Sequence, residues 1–134
     1  MAASSHSEAT TVKVSVVIGN AIGAAYVAMG GSANADATYA WPGTVISPLT
    51  GEAAIQVMWK DEIKNTTGDA VAARAELAAK YEAEVADGVN AATQGLIDDV
   101  IDPADSRKTI IAALELLSSK RDSNPPKKHG NLPM

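Results

Sequence analysis

Val12-Lys13-Val14-Ser15-Val16-Val17-Ile18-Gly19-Asn20-Ala21-Ile22-Gly23-Ala24-Ala25-Tyr26 carries the chain from an apolar run into a series of small residues. Val12 to Ile18 is rich in β-branched side chains and almost continuously apolar, the pattern of a strand covered on both faces, as in a parallel sheet. The small residues that follow mark a turn. Ala21 to Met29 then reads as a helix whose short side chains demand close packing, ended by Gly30-Gly31-Ser32. A strand delivered into such a turn, with a helix starting at once, leaves backbone N–H groups unpaired and aimed at whatever lies above the strand. The local reading is an anion or oxyanion site. Taken alone, small residues at a strand-to-helix junction serve close packing more often than chemistry.

The chain around this stretch has 134 residues, 46% apolar and 20% charged, which is the balance of one globular domain. It has no Phe, so its core rests on Val, Ile, Leu and Ala, each burying less area than an aromatic ring; a partner surface is expected on area grounds. A net charge of −5 excludes a cationic nucleic-acid face. With no cysteine there is no disulfide framework, thiolate zinc site or cysteine nucleophile, which suits a cytoplasmic protein. Residues 1–11 are a polar segment without the apolar centre of a signal peptide, and no apolar run approaches the roughly 18 residues that cross a bilayer, so direct membrane insertion is not expected.

Further along, Thr38 to Trp41 and Val45 to Ser47 read as short strands separated by Pro42-Gly43. Thr50 is an N-cap for a helix with Ala53, Ala54, Val57 and Met58 on one face. Asp61 to Thr67 reads as a surface turn. Ala70 to Ala86 is a solvated outer helix with Leu77, Tyr81 and Val85 on its apolar side, and Val89 to Thr93 a short helical turn closed by Gly95. Leu96 to Ile101 reads as a strand. Asp102-Pro103 starts a final amphipathic helix on which Ile110, Ile111, Leu114 and Leu117 recur at helical spacing. Residues 122–134 form an extended, Pro-rich tail with the basic cluster Lys127-Lys128-His129.

These residues resemble the C-terminal part of the carboxyltransferase subunit of biotin-dependent acyl-CoA carboxylases and decarboxylases, of the propionyl-CoA carboxylase beta and methylmalonyl-CoA decarboxylase alpha type. The resemblance is carried by Ala21-Ile22-Gly23-Ala24-Ala25-Tyr26-Val27-Ala28-Met29, by Tyr39-Ala40-Trp41-Pro42 and by Gly95-Leu96-Ile97-Asp98-Asp99-Val100-Ile101-Asp102-Pro103. It continues through Arg107 with Ile110-Ile111-Ala112-Ala113-Leu114, and Pro125-Pro126-Lys127-Lys128-His129-Gly130-Asn131-Leu132-Pro133. It implies an α/β crotonase-type superhelix of strand–strand–helix units, present here in part, with residues 12–121 as the later portion of a carboxyltransferase C-terminal domain. The sheet layers before Val12 would come from elsewhere. With Met1 at the start, either a naturally split carboxyltransferase with a separate upstream half or a shortened one is expected.

In the family, carboxyl transfer between carboxybiotin and an acyl-CoA needs two oxyanion stabilisers and no side-chain nucleophile, which agrees with the lack of a Ser/His/Asp or Cys/His constellation in this sequence. Carried over by position, the resemblance implies that the backbone amides of Ala24 and Ala25 receive the ureido oxygen of biotin. Gly23, Tyr26 and Val27 become substrate-binding positions, Tyr26 beneath the site and Val27 where the family tunes acyl choice. The biotin would arrive on a separate carrier protein, since the chain has no Met-Lys-Met biotinylation site. The implied partners are an upstream carboxyltransferase half or other carboxyltransferase subunits, the carrier and an acyl-CoA, with any membrane reached only through a partner.

Three departures bear on activity. Ala24 stands where a second glycine is usual, Gly19-Asn20 replaces a basic pair, and Pro48 removes a donor N–H from a rewritten turn. They leave open an alternative from another class, a non-catalytic assembly or scaffold subunit that keeps the fold. A crotonase-like hydratase or isomerase is a third reading, with Glu52 as its one acid near the site. Asp98, Asp99 and Asp102 read as a strand-end turn and helix cap rather than a metal cluster, and no metal is expected. His6 and His129 read as solvated. Trp41 reads as an interface anchor and Trp59 as a core or interface residue.

Overall fold

The computed structural model describes residues 9–31, 34–65 and 70–122. His6, Lys127-Lys128-His129, and most of the polar first segment and the Pro-rich tail lie outside the described residues. The apolar opening run forms β1 (Val14–Val17), but the next three residues form a second strand, β2 (Asn20–Ile22), and the helix α1 starts only at Ala24 (Ala24–Met29). The expected helix from Ala21 is therefore corrected. Ala21 favours helix and Ile22 strand, so local preference is divided, and parallel pairing of β2 with β4 (Val45–Ser47), Ala21 opposite Ile46, decides the matter.

β3 (Ala37–Ala40) pairs in parallel with β1, Val14 opposite Ala37, and β5 (Asp99–Val100) pairs in parallel with β3. The strand order is β1-β3-β5 in one sheet and β2-β4 in the other. The first two passes of the chain thus lay one strand in the first sheet, the next strand in the second, and then turn helical, which is the expected strand–strand–helix superhelix; the third pass adds β5 to the first sheet and turns helical directly. Val17, Ala40, Ile46, Ala91 and Ile97 make the core between these layers.

Helices α2 (Gly51–Met58), α3 (Lys60–Asn65) and α4 (Ala70–Glu84) form an outer layer. Thr50 caps α2 as expected, its hydroxyl accepting from the Ala53 amide at 3.4 Å. The buried face of α2 is Ala54 and Ile55, however, and Val57 and Met58 are exposed, because the helix faces α4 rather than the sheets. The expected surface turn after Asp61 is in part the helix α3. Tyr81 is the buried anchor of the layer: its hydroxyl and that of Ser47 lie 2.9 Å apart and tie α4 to β4, while Trp59 meets its ring edge-on at 6.2 Å. Gly88–Thr93 is α5, and after the 3-10 turn Pro103–Asp105 comes α6 (Ser106–Leu116). Leu96 to Ile101 is strand only over Asp99–Val100, because Asp98 turns its carboxylate onto the Thr38 amide at 2.7 Å.

The chain just beyond α6 is latched to the starts of β1 and β3. The Lys120 ammonium donates to Asp36 Oδ1 at 2.7 Å, to Asp122 Oδ2 at 2.8 Å and to the Thr11 carbonyl at 3.5 Å, while the Lys13 amide donates to Asp36 Oδ2 at 2.7 Å. The hydrogen bond from Lys120 holds the Asp36 carboxyl below the usual carboxylate range. Folding therefore gains from Asp36 above its unfolded value of about 4 and loses that gain as pH falls through the lower folded value. Asp36→Asn is expected to lower the thermal unfolding midpoint at pH 7 and to reduce the difference between midpoints at pH 7 and pH 3; an unchanged difference contradicts the latch.

Candidate functional site

Gly23 ends β2 and caps α1 at φ 84°, ψ −169°, a conformation open to glycine and costly for any other residue. Its amide donates to the Ser47 carbonyl at 2.9 Å, so the β2–β4 ladder fixes the turn. The next amides, those of Ala24 and Ala25, stand in the first turn, where no intrahelical acceptor exists. Gly23 offers no side-chain cap, and among the described residues neither amide donates to a turn or loop carbonyl. Both alanines are exposed, and Ala24 has negative φ, so alanine in place of glycine there carries no backbone strain.

Beside this turn runs an open groove of about 450 Å³ lined by Val16, Ile18, Asn20, Ile22, Ala25 and Tyr26 among others. Its floor is the side of β1 and β2 that no strand of the described residues covers. The Ala37 and Trp41 amides donate to the Lys13 and Val17 carbonyls, so Val14 and Val16, one residue out of phase, direct their own backbone groups to the groove side. The structure thus brings Gly23, Ala24 and Ala25 together at the groove's lip, with Ala25 and Tyr26 lining it. Val27 sits half-exposed on α1 and does not line the groove. The Tyr26 ring packs on the core between the sheets, its hydroxyl is buried without a hydrogen-bond partner, and burial raises its pKa.

Glu52 is exposed in the first turn of α2 and lines a separate hollow of about 270 Å³ with Ile55 and Arg74, away from the groove, which removes the support for a hydratase or isomerase acid there. Asp98, Asp99 and Asp102 each accept from a backbone amide, of Thr38, Val100 and Ala104 respectively, which is the turn-and-cap role read from sequence. Trp41 is half-buried, its indole donating to Ser106 Oγ at 2.8 Å and so pinning α6 to the end of β3. Sequence reasoning missed the Asp36–Lys120 contact entirely, since residues 84 apart carry no local signal. No described helix is long and apolar enough to cross a membrane.

Residues 3–132 match the carboxyl transferase domain family. This chain belongs to that family. Among curated carboxyl transferase relatives it is 44% identical over 129 residues to the methylmalonyl-CoA carboxyltransferase 12S subunit of Propionibacterium freudenreichii subsp. shermanii, covering 96% of this chain and 24% of the relative. It is 41% identical to the propionyl-CoA carboxylase carboxyltransferase subunit of Haloferax mediterranei, covering 96% of this chain and 25% of that protein. The solved transcarboxylase 12S structure with methylmalonyl-CoA bound, described as a hexamer, superposes with a TM-score of 0.83 at 43% identity, over 98% of this chain and 25% of the other. The geranyl-CoA carboxylase beta subunit of P. aeruginosa shares the fold, with a TM-score of 0.69 at 19% identity, over 88% of this chain and 23% of that one. The carboxyl transferase fold is the crotonase-like one expected, and the chain spans about a quarter of the length of the relatives it matches.

The positive φ of Gly23 yields a direct test. A Cβ at Gly23 meets no atom within 4 Å, so Gly23→Ala adds backbone strain without a clash. Chemical denaturation is expected to show a loss of about 1–3 kcal/mol; an unchanged midpoint and slope would mean that the turn is not held as described.

Proposed function

We propose that this chain is the later portion of a carboxyltransferase C-terminal domain, supplying the biotin-side oxyanion site of an enzyme that moves a carboxyl group between carboxybiotin and an acyl-CoA or similar acceptor. The biotin comes on a separate carrier protein, and the rest of the active site comes from further carboxyltransferase polypeptide. The reading rests on one observation: Gly23 turns the end of β2 so that two neighbouring amides, of Ala24 and Ala25, stand unpaired beside small side chains that let a planar group approach.

The amides of Ala24 and Ala25 would hold the ureido oxygen of carboxybiotin, which would supply the carboxyl group for transfer and need stabilisation of negative charge at that oxygen. Fixed amide donors at that oxygen act without reorganising, because the β2–β4 ladder has already set their direction. Each such donor contributes about 3–4 kcal/mol in oxyanion holes of this kind. Gly23 leaves the approach free of a side chain, Tyr26 supports α1 from the core, and Val27 adds an uncharged, half-exposed side chain on α1 outside the groove. No step assigned to this chain needs a side-chain acid or base.

Ala24 is the first residue of α1, where proline fits the helix and removes the N–H. In the 12S subunit of P. freudenreichii with this chain in place of the matching stretch, carboxyl transfer from free carboxybiotin is expected. Ala24→Pro should lower it by about 10²–10³-fold with assembly intact. A well-assembled but inactive subunit would instead favour a scaffold role, and full activity of Ala24→Pro would remove these amides from the chemistry.

A further inference from the structure

Outside the groove, α6 flanks the same edge of the first sheet. α6 follows β5 yet crosses the first sheet to contact β1, and Lys120 beyond its end reaches the Thr11 carbonyl, so the later turns of the helix lie over the β1 side. Ala113 is its buried position, with Ile110 and Leu117 half-buried on the same sheet-facing side. Asp105, Lys108, Thr109 and Ala112 face a hollow along β5, which fixes one flank of the helix. At 100° per residue, Ile111 and Leu114 fall on the opposite flank, toward the free side of β1, whereas Leu116, four residues beyond Ala112, falls with the β5 flank.

Ile111 and Leu114 are each 46% exposed, and Ile18, at the end of β1, is 63% exposed. Together they border the same open side as the unpaired backbone of Val14 and Val16. We propose that Ile111 and Leu114 are the second half of a docking surface, seating apolar side chains of the preceding strand–strand–helix unit of carboxyltransferase polypeptide, the unit whose strand pairs with β1. This inference rests on the reading that further carboxyltransferase chain completes the site. The occupant follows from two facts: the relatives are about four times the length of this chain, and the free edges of both sheets lie at the same end of the stack, where another unit of the same geometry would add one strand to each. A strand added beside β1 meets α6 before it meets solvent, so strand pairing and apolar contact with the helix form one continuous interface.

The chain has no cysteine, so single thiols report each position cleanly. Ile18→Cys, Ile111→Cys, Leu114→Cys and Leu116→Cys are made in this chain and in the full-length 12S subunit carrying it, and the rate of maleimide labelling at each site is read by mass spectrometry. All four should label readily in the chain alone. In the full-length subunit, labelling at positions 18, 111 and 114 should slow by about tenfold or more while position 116 stays open. Protection at 18 with none at 111 and 114 overturns the α6 surface and leaves the strand-covering reading standing. Equal labelling at 18 in both forms overturns that reading and the α6 surface with it. If thiol substitution impairs folding at 111 or 114, Ile111→Ser with Leu114→Ser serves instead: a lowered midpoint of the full-length subunit, unmatched by Leu116→Ser, supports the surface, and equal midpoints overturn it.

Discussion

Parallel pairing across two sheets is the constraint from which the other features follow. Because β1 pairs with β3 and β2 with β4 in step, the chain must leave one sheet and enter the other within Ile18–Gly19, and must leave the second sheet through a turn that only Gly23 makes cheaply. The position of the unpaired Ala24 and Ala25 amides is a by-product of that ladder. So is the groove, since a parallel stack that begins at β1 and β2 presents a free backbone edge on that side.

The stack carries modest apolar weight of its own. The buried core between the sheets is built from Val, Ala and Ile with the partly buried Tyr26 ring against it, and the buried aromatic, Tyr81, sits in the outer layer with Trp59. Polar contacts at specific points supplement it: Ser47 with Tyr81, Trp41 with Ser106, Asp98 with Thr38, and the Lys120 latch on Asp36. Each joins elements distant in sequence and fixes one end of a strand. Tyr26 stands apart from these, because its hydroxyl is a buried side-chain group without a hydrogen-bond partner among the described residues.

Much of this was readable from residue order. The β-branched run gave β1, Thr50 and Asp102 gave their caps, and Leu77 and Tyr81 gave the inward face of α4, because those features depend on neighbours within a few residues. β2 was not readable: Asn20-Ala21-Ile22 has no strand signature, and only the partner strand around Ile46 makes it one. Val57 and Met58 misled because helical spacing marks an apolar face without showing whether anything meets it. The groove was legible only as an inference, from a strand apolar on both faces with no sheet neighbour before it. The turn at Gly23 was legible as small residues, while the φ that makes it a turn was not.

Amide hydrogen exchange at Val14 and Val16 tests the open edge most directly, with Ser15 and Val17 of the same strand, which face β3, as internal references. Measured in this chain alone and in a full-length 12S subunit carrying it, Val14 and Val16 should exchange far faster than Ser15 and Val17 in the first and match them in the second. Equal protection of all four residues in the chain alone, or unchanged fast exchange of Val14 and Val16 in the full-length subunit, would contradict the account.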